Sequence, residues 1–285
     1  MTSKQIQTIR TRDDLFRMIS QIRQKRSTIG FVPTMGALHE GHLSLVRESR
    51  QQCDFTVVSI FVNPTQFSPD EDLDQYPRPL DNDLQLLQQE GVDLVFLPDN
   101  QELYPADCST SIKPPLVAGK LEGESRPTHF AGVATVVLKL LNLTQCDIAY
   151  FGQKDYQQVK VVQHLVRDLN HPSKIVMCPI ARAEDGLALS SRNIYLSAEE
   201  RQIATCLNRT LQETMQMIAE GETDGRAIMA HMTQALIEGG VTETDYAVIA
   251  DAESLEFLEQ VSRPAVLLVA AMVGETRLID NCLIT

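Results

Sequence analysis

The sequence predicts an α/β protein: a Rossmann-like parallel sheet with helices on both faces, then a smaller C-terminal α+β domain. Two broad features and one local feature carry that expectation. Short apolar runs alternate with helical repeats through the first 180 residues, as parallel βαβ units require. The texture changes near residue 181, where long helical repeats precede three extended runs. A polar, glycine-bearing segment from Pro33 to His42 sits where the first strong strand should turn into a helix. Sheets of this class bind ligands outside such strand ends.

At the N-terminus, Leu15, Ile19 and Ile22 recur at helical spacing. The basic residues around them (Lys4, Arg10, Arg12, Arg17) are interrupted by Asp13 and Asp14, which favours an amphipathic first helix over a transit peptide. Apolar runs at 29–32, 55–61, 92–97, 148–151 and 175–180 read as strands. Helical patterns at 43–52, 80–90, 133–143 and 156–169 separate most of them. Residues 98–132 are irregular and rich in Pro and Gly, an excursion near the site that could serve as a flap. Beyond the boundary, 197–220 reads as one long helix opened by a Ser197/Glu200 capping box. A second helix, 224–238, is stopped by Gly239 and Gly240, and strands follow at 246–249, 265–273 and 276–279. The expected domains are therefore 1–180 and 181–285.

Composition bounds the function. The chain has 285 residues and is 43% hydrophobic, enough for a core in each of two domains. Its longest apolar run, 265–273, is far too short to span a bilayer. The six cysteines form no CxxC pair and none has a histidine at zinc-ligand spacing, so they read as small apolar fillers in a reducing, cytoplasmic setting. A net charge of −13 argues against nucleic acid or an anionic membrane as partner. From residue 181 onward there are 7 Lys and Arg against 17 Asp and Glu, whereas residues 1–180 hold 18 and 21. An anionic substrate therefore suits the less acidic part.

The segment Pro33-Thr34-Met35-Gly36-Ala37-Leu38-His39-Glu40-Gly41-His42 carries the chemistry. A helix start offers unpaired backbone N–H groups and the positive end of the helix dipole, which suits phosphate. The i,i+3 spacing puts His39 and His42 on one side of the first turn. Other polar groups follow the later strands: Asn63, Thr65 and Gln66; then Gly152, Gln153, Lys154 and Asp155; then Arg182 and Ser190-Ser191-Arg192. Four separate runs obey one geometric rule, which predicts one shared site. Two hydroxyls and a guanidinium in a row can grip phosphate oxygens. Lys154 is a compact cation suited to charge at an α-phosphate. The amides Asn63 and Gln66 suit a small hydroxy acid whose carboxylate must stay nucleophilic.

The first of these segments matches the HxGH motif of the nucleotidyltransferase superfamily. The string PTMGALHEGHLSLV, with FVNPTQF at 61–67, FGQKDYQQ at 151–158 and DGLALSSRN at 185–193, resembles the pantothenate synthetase family. The resemblance implies ATP-dependent condensation of (R)-pantoate with β-alanine through pantoyl-adenylate, with Mg²⁺ accompanying ATP, and a homodimer. It implies catalytic roles for His39, His42 and Lys154. ATP would meet Met35, Gly36, Ala37, Leu38, His39, Glu40, Gly41 and His42. It would also meet Gly152, Gln153, Lys154, Asp155, Ala181, Leu189, Ser190, Ser191 and Arg192. Leu189 stands where some members have Met. Gln66, Gln158 and Asn63 would bind pantoate or β-alanine. His42 is labelled a proton donor by family convention, and a phosphate hydrogen-bond donor is the alternative. Asp81 and Asp83 read first as helix-dipole partners, with a magnesium contact by Asp83 as the alternative, so the metal ligands stay unassigned. Tyr76, Glu122, Arg126 and His129 are further candidates for lining or closing the pocket.

Overall fold

The structure, a computed structural model, describes residues 6–68 and 73–285. Lys4 of the basic N-terminal run lies outside the described residues. The chain divides into two compact units. One comprises Met1–Gly152 with Gln157–Pro179, and the other Gln153–Tyr156 with Ile180–Thr285.

Through the first 179 residues the elements are β1 (Gln7–Ile9), α1 (Arg12–Gln24), β2 (Ile29–Thr34), α2 (Glu40–Gln52), β3 (Phe55–Ile60), α3 (Leu80–Gln89) and β4 (Leu94–Phe96). They continue with α4 (Asn100–Leu103), α5 (Glu122–Ser125), α6 (His129–Thr144), β5 (Ile148–Gly152), α7 (Tyr156–Asp168) and β6 (Lys174–Cys178). Among the described residues six strands form one sheet in the order β1-β4-β3-β2-β5-β6. Every pairing is parallel. The apolar runs explain this. Ile29, Phe31, Val32, Val57, Val58, Leu94, Val95 and Phe96 are fully buried, as strands covered on both faces must be. On α1 the helical spacing of Leu15, Ile19 and Ile22 becomes its buried stripe.

Strand order reverses beside β2: the chain steps from β2 to β3 on one side, while β5 lies on the other. That is a topological switch point, the crevice where open α/β sheets bind ligands. Asp147 pins it. Its carboxylate accepts from the Ile29 N–H at 2.7 Å and from the Arg23 guanidinium at 2.8 and 2.9 Å. Pro33 lies in β2 without breaking the sheet. Pairing with β5 ends at Phe31, so the missing proline N–H falls beyond that ladder.

Some boundaries differ from the sequence reading. Strand β1 has three residues with only Ile9 buried, too short for any periodicity to announce it. Helix α6 starts at His129, four residues before the regular apolar repeat. The irregular 98–132 stretch holds the short α4 and α5 and a 3₁₀ turn at Leu116–Ala118.

The second unit contains α8 (Ala198–Ala204), α9 (Cys206–Ala219), α10 (Gly225–Glu238), β7 (Glu243–Asp251), β8 (Ala265–Val273) and β9 (Thr276–Ile284). Its three strands are antiparallel in the order β7-β8-β9. Ser197 and Glu200 form the expected capping box. The expected single helix over 197–220 is corrected to two. Thr205 donates both its N–H and its hydroxyl to the Gln202 carbonyl, and this local bond competes with the i−4 ladder. The apolar repeat runs on through Leu207 and Leu211, so sequence periodicity hides the break. Helices α9 and α10 cover the sheet with Leu207, Leu211, Ile228, Met232 and Leu236 against Ile249, Leu267 and Val269.

No helix among the described residues is long and apolar enough to cross a membrane. All six cysteine thiols are free. Leu211 is fully buried, so Leu211→Ala should cost about 2–5 kcal/mol in a urea titration. Leu116 is 97% exposed, and Leu116→Ser should change stability by less than about 0.5 kcal/mol. Equal effects would contradict this placement of the core.

Candidate active site

At the C-terminal end of β2 the chain passes through Met35–Leu38 and enters α2 with His39 as its N-cap. Two imidazoles replace the usual hydroxyl and carboxyl of a capping box. His39 Nδ1 accepts from the Gly41 N–H at 3.1 Å, and His42 Nδ1 accepts from the His39 N–H at 3.4 Å. The rings lie 4.2 Å apart between centroids, tilted by 47°. An Nδ1 that accepts a hydrogen bond carries no proton, so each neutral ring holds its proton on Nε2. In that tautomer the two rings carry Nε2–H groups at the positive end of the helix dipole. Glu40, at the same helix start, has its carboxylate paired with Arg47, whose guanidinium also bonds Glu90. The bond to Arg47 holds the Glu40 carboxyl below the usual carboxylate range.

The Met35–Leu38 turn is strained. Gly36 has φ +85° and Ala37 φ +50°. An alanine in the left-handed region costs about 1–2 kcal/mol. Asp83, 1% exposed in the first turn of α3, holds it there. Its Oδ2 accepts from the Ala37 N–H at 2.9 Å and its Oδ1 from the Leu38 N–H at 2.8 Å. Charge-assisted bonds contribute about 1.5–3 kcal/mol each, so two outweigh the strain at Ala37. Packing alone would not suffice, because a cavity of about 420 Å³ borders Met35, Gly36 and Asp83 on the side of Phe61, Arg10 and Arg78. Both Asp83 oxygens are thus engaged by backbone. Asp81 shares the first turn of α3.

The amide pair after β3 is also built into the first unit. Asn63 is 1% exposed and fully used. Its Oδ1 accepts from Tyr104 OH at 3.0 Å and Thr65 Oγ1 at 2.9 Å, while its Nδ2 donates to Gln66 Oε1 at 3.1 Å and to the Gly132 carbonyl at 3.3 Å. Gln66 Nε2 donates to Met35 Sδ at 3.0 Å, which ties this turn to the histidine turn. The Gln66 carbonyl meets His129 Nδ1 at 2.9 Å and Arg126 Nη2 at 3.4 Å. A side chain at Gly132 would collide with the Thr65 carbonyl, so α6 presses directly on the 64–66 turn. Tyr76 is buried edge-on to Phe67, and Glu122 opens α5 with its N–H on Gln157 Oε1. Gln158 lies half-buried in α7.

In the second unit, Gln153–Asp155 forms a 3₁₀ turn directly after Gly152, the last residue of β5. Lys154 is one-fifth exposed, with Nζ 3.5 Å from Asp155 Oδ1. Asn281 of β9 donates from Nδ2 to the carbonyls of Gln153 at 2.9 Å and Lys154 at 3.0 Å. Its Oδ1 accepts from Gln153 Nε2 at 3.1 Å. The neighbouring Asp280 takes the guanidinium of Arg182 in a bidentate pair at 2.6 and 2.8 Å. Arg182 and Ala188 face each other across a tight hairpin turned at Gly186, and Leu189 N–H returns to the Ala181 carbonyl at 2.9 Å. That hairpin delivers Ser190, whose Oγ caps the 3₁₀ turn Ser191–Tyr195 carrying Ser191 and Arg192. Arg182, counted with the polar strand-end groups, is therefore a strut of the hairpin.

Sequence reasoning missed Tyr104, Gly132, Asp280 and Asn281 as supports of these turns. The polar pair Asp280-Asn281 within an otherwise extended apolar run was the available signal. Among the described residues, no cluster of three or more His, Cys, Asp or Glu could hold a metal ion.

A family model described as pantoate-beta-alanine ligase matches residues 7–283. The chain belongs to that family. The "Pantothenate synthetase" of Acidobacterium capsulatum is 52% identical over 257 residues, covering 90% of this chain and 86% of the relative. Pantothenate synthetase from Thermus thermophilus superposes with a TM-score of 0.92 at 43% identity, over 97% of this chain and 99% of that one. A Francisella tularensis pantoate-beta-alanine ligase, solved in complex with beta-gamma ATP and beta-alanine, gives a TM-score of 0.82 at 36% identity, over 98% and 97%. The two solved structures share the fold over nearly the full length of this chain.

Burial raises the Asp83 carboxyl above its ordinary value, against the lowering effect of its bonds to Leu38 and Ala37. A carboxyl raised on folding contributes stability that is full below the unfolded value and lost as pH rises through the folded one. Asn at this position does not titrate. The melting temperature of Asp83→Asn relative to the native chain is therefore expected to rise as pH climbs above about 4. A difference that stays flat or falls would contradict a desolvated, ionised Asp83.

Proposed function

We propose that this chain joins (R)-pantoate to β-alanine at the expense of ATP, through pantoyl-adenylate. In the first step a pantoate carboxylate oxygen attacks the α-phosphorus. A P–O bond forms, the bond to the bridging oxygen breaks, and pyrophosphate leaves with that electron pair. In the second, the β-alanine amine attacks the acyl carbon, the acyl–oxygen bond breaks, AMP leaves and the amine loses its proton to solvent. No side chain needs to become a nucleophile, so catalysis rests on positioning and charge.

The observation that carries this reading is the doubly imidazole-capped N-terminus of α2, within a family named for this ligation. With Nδ1 accepting, His39 and His42 can donate Nε2–H hydrogen bonds to the α-phosphoryl oxygens and departing pyrophosphate. A neutral ring of that tautomer makes a good hydrogen-bond donor and a poor acid. The role proposed for His42 is hydrogen-bond donation to phosphate rather than proton transfer. One such donor accounts for on the order of 10²–10³ in rate.

The backbone of Met35–Gly41 lines the same nucleotide. In the second unit, Lys154 supplies charge to the α-phosphate, Ser190, Ser191 and Arg192 hold the outer phosphates, and Ala181, Leu189, Gly152, Gln153 and Asp155 serve the adenosine. Gln66 and Gln158 hold pantoate, and Asn63 holds Gln66. By the family resemblance, Mg²⁺ arrives on the phosphates of ATP. No step above is routed through it. The family resemblance further implies a homodimer working in the cytoplasm.

Nucleotidyltransferases that use phosphorylated acceptors need further basic groups. The amide at Gln66, beside the thioether of Met35, suits an uncharged hydroxyl and a methyl-rich acid instead.

The test withholds β-alanine. MgATP and (R)-pantoate should release close to one pyrophosphate per site, and added β-alanine should then yield pantothenate and AMP. Lys154→Ala should lose the pyrophosphate burst yet still convert pre-formed pantoyl-adenylate. No burst from the native chain would refute the ligation, and equal loss in both halves would refute the role of Lys154.

A further inference from the structure

The 3₁₀ turn that carries Lys154 has one side-chain anchor with an unusual geometry. Asn281 is 2% exposed on β9, an edge strand of the antiparallel sheet. Its two amide hydrogens go to two consecutive carbonyls, those of Gln153 and Lys154, and its amide oxygen receives Gln153 Nε2. A buried amide with both donors and its acceptor engaged fixes orientation as well as position. The Tyr156 hydroxyl adds a bond to the Ala252 carbonyl at 2.7 Å on the far side of the turn. Next to Asn281, Asp280 accepts the Asn281 N–H at 2.7 Å while gripping Arg182. Two adjacent residues of one strand thus hold the roots of the Lys154 turn and of the Ser190–Arg192 hairpin.

We infer that Asn281 is a positioning residue for the first half-reaction: it fixes the backbone that carries Lys154, and so sets where the ammonium charge stands. Two donors on one nitrogen let this single side chain bond both carbonyls, at 2.9 and 3.0 Å. Serine offers one donor. Aspartate offers none, and would set a carboxylate against two carbonyl oxygens. The role belongs to adenylation because the lysine stabilises charge at phosphorus and nothing at the acyl carbon. This inference rests on the reading of Lys154 given above.

The test is a double-mutant cycle on the full chain. Asn281→Ala should slow pyrophosphate release about 10- to 100-fold, the cost of a charge misplaced by about 1 Å. Conversion of pre-formed pantoyl-adenylate should stay within about twofold of native. Adding Asn281→Ala to Lys154→Ala should slow adenylation no further, because the first acts through the second. Multiplicative losses in the double variant, equal losses in both half-reactions, or a normal burst from Asn281→Ala would each overturn the inference. If Asn281→Ala does not fold, Asn281→Ser carries the same cycle with a smaller expected loss and the same overturning results. A Lys154→Ala chain that adenylates normally would instead overturn the role of Lys154 itself, which separates the two failures.

Discussion

A buried carboxylate sets the shape of the strained turn between β2 and α2 in the first unit. Asp83 reaches from α3 to two consecutive N–H groups of the strained turn between β2 and α2. Without those bonds, nothing would offset the strain of the left-handed conformation at Ala37. His39 would then no longer stand as the N-cap, and the reciprocal bonds of the two imidazoles would go with it. The cost is a desolvated charge, seen in the raised Asp83 carboxyl. The cost is tolerable because both oxygens are satisfied by charge-assisted bonds.

The same device recurs elsewhere with neutral groups. Asn63 holds the Gln66 turn through every polar atom it has, and Asn281 does so for the Lys154 turn. In each case a residue proposed to contact substrate is fixed by a buried neighbour, through its side-chain amide at Gln66 and through backbone at the Lys154 turn. Regular elements supply the rigid strands and helices, and these side chains supply the last ångström of aim.

Much of the fold could be read from the sequence because its signals are local. Fully apolar runs gave β2, β3, β4, β5 and β6, and helical spacing of Leu15, Ile19 and Ile22 gave α1. The capping box at Ser197 was legible for the same reason. The break at Thr205 was not, since a side chain bonding back to Gln202 leaves the apolar period intact. Strand β1 is too short to show a period. Among site residues, those in glycine-bearing motifs stood out, whereas their supports did not. Asp83 looked like an ordinary dipole partner at a helix start, and Asn281, two residues past the last expected strand, drew no reading. Their roles depend on partners 45 and 128 residues away, which no local pattern records.

The central claim is that the α2 start holds both imidazoles with Nδ1 as acceptor and Nε2 as donor. Long-range ¹H–¹⁵N NMR on a histidine-labelled chain measures this directly, with only six histidines to assign. His39 and His42 should show protonated Nε2 and bare Nδ1 in the unliganded protein, and their Nε2 resonances should move when a non-hydrolysable ATP analogue binds. A proton on Nδ1 of either ring, or Nε2 signals indifferent to the nucleotide, would contradict the account.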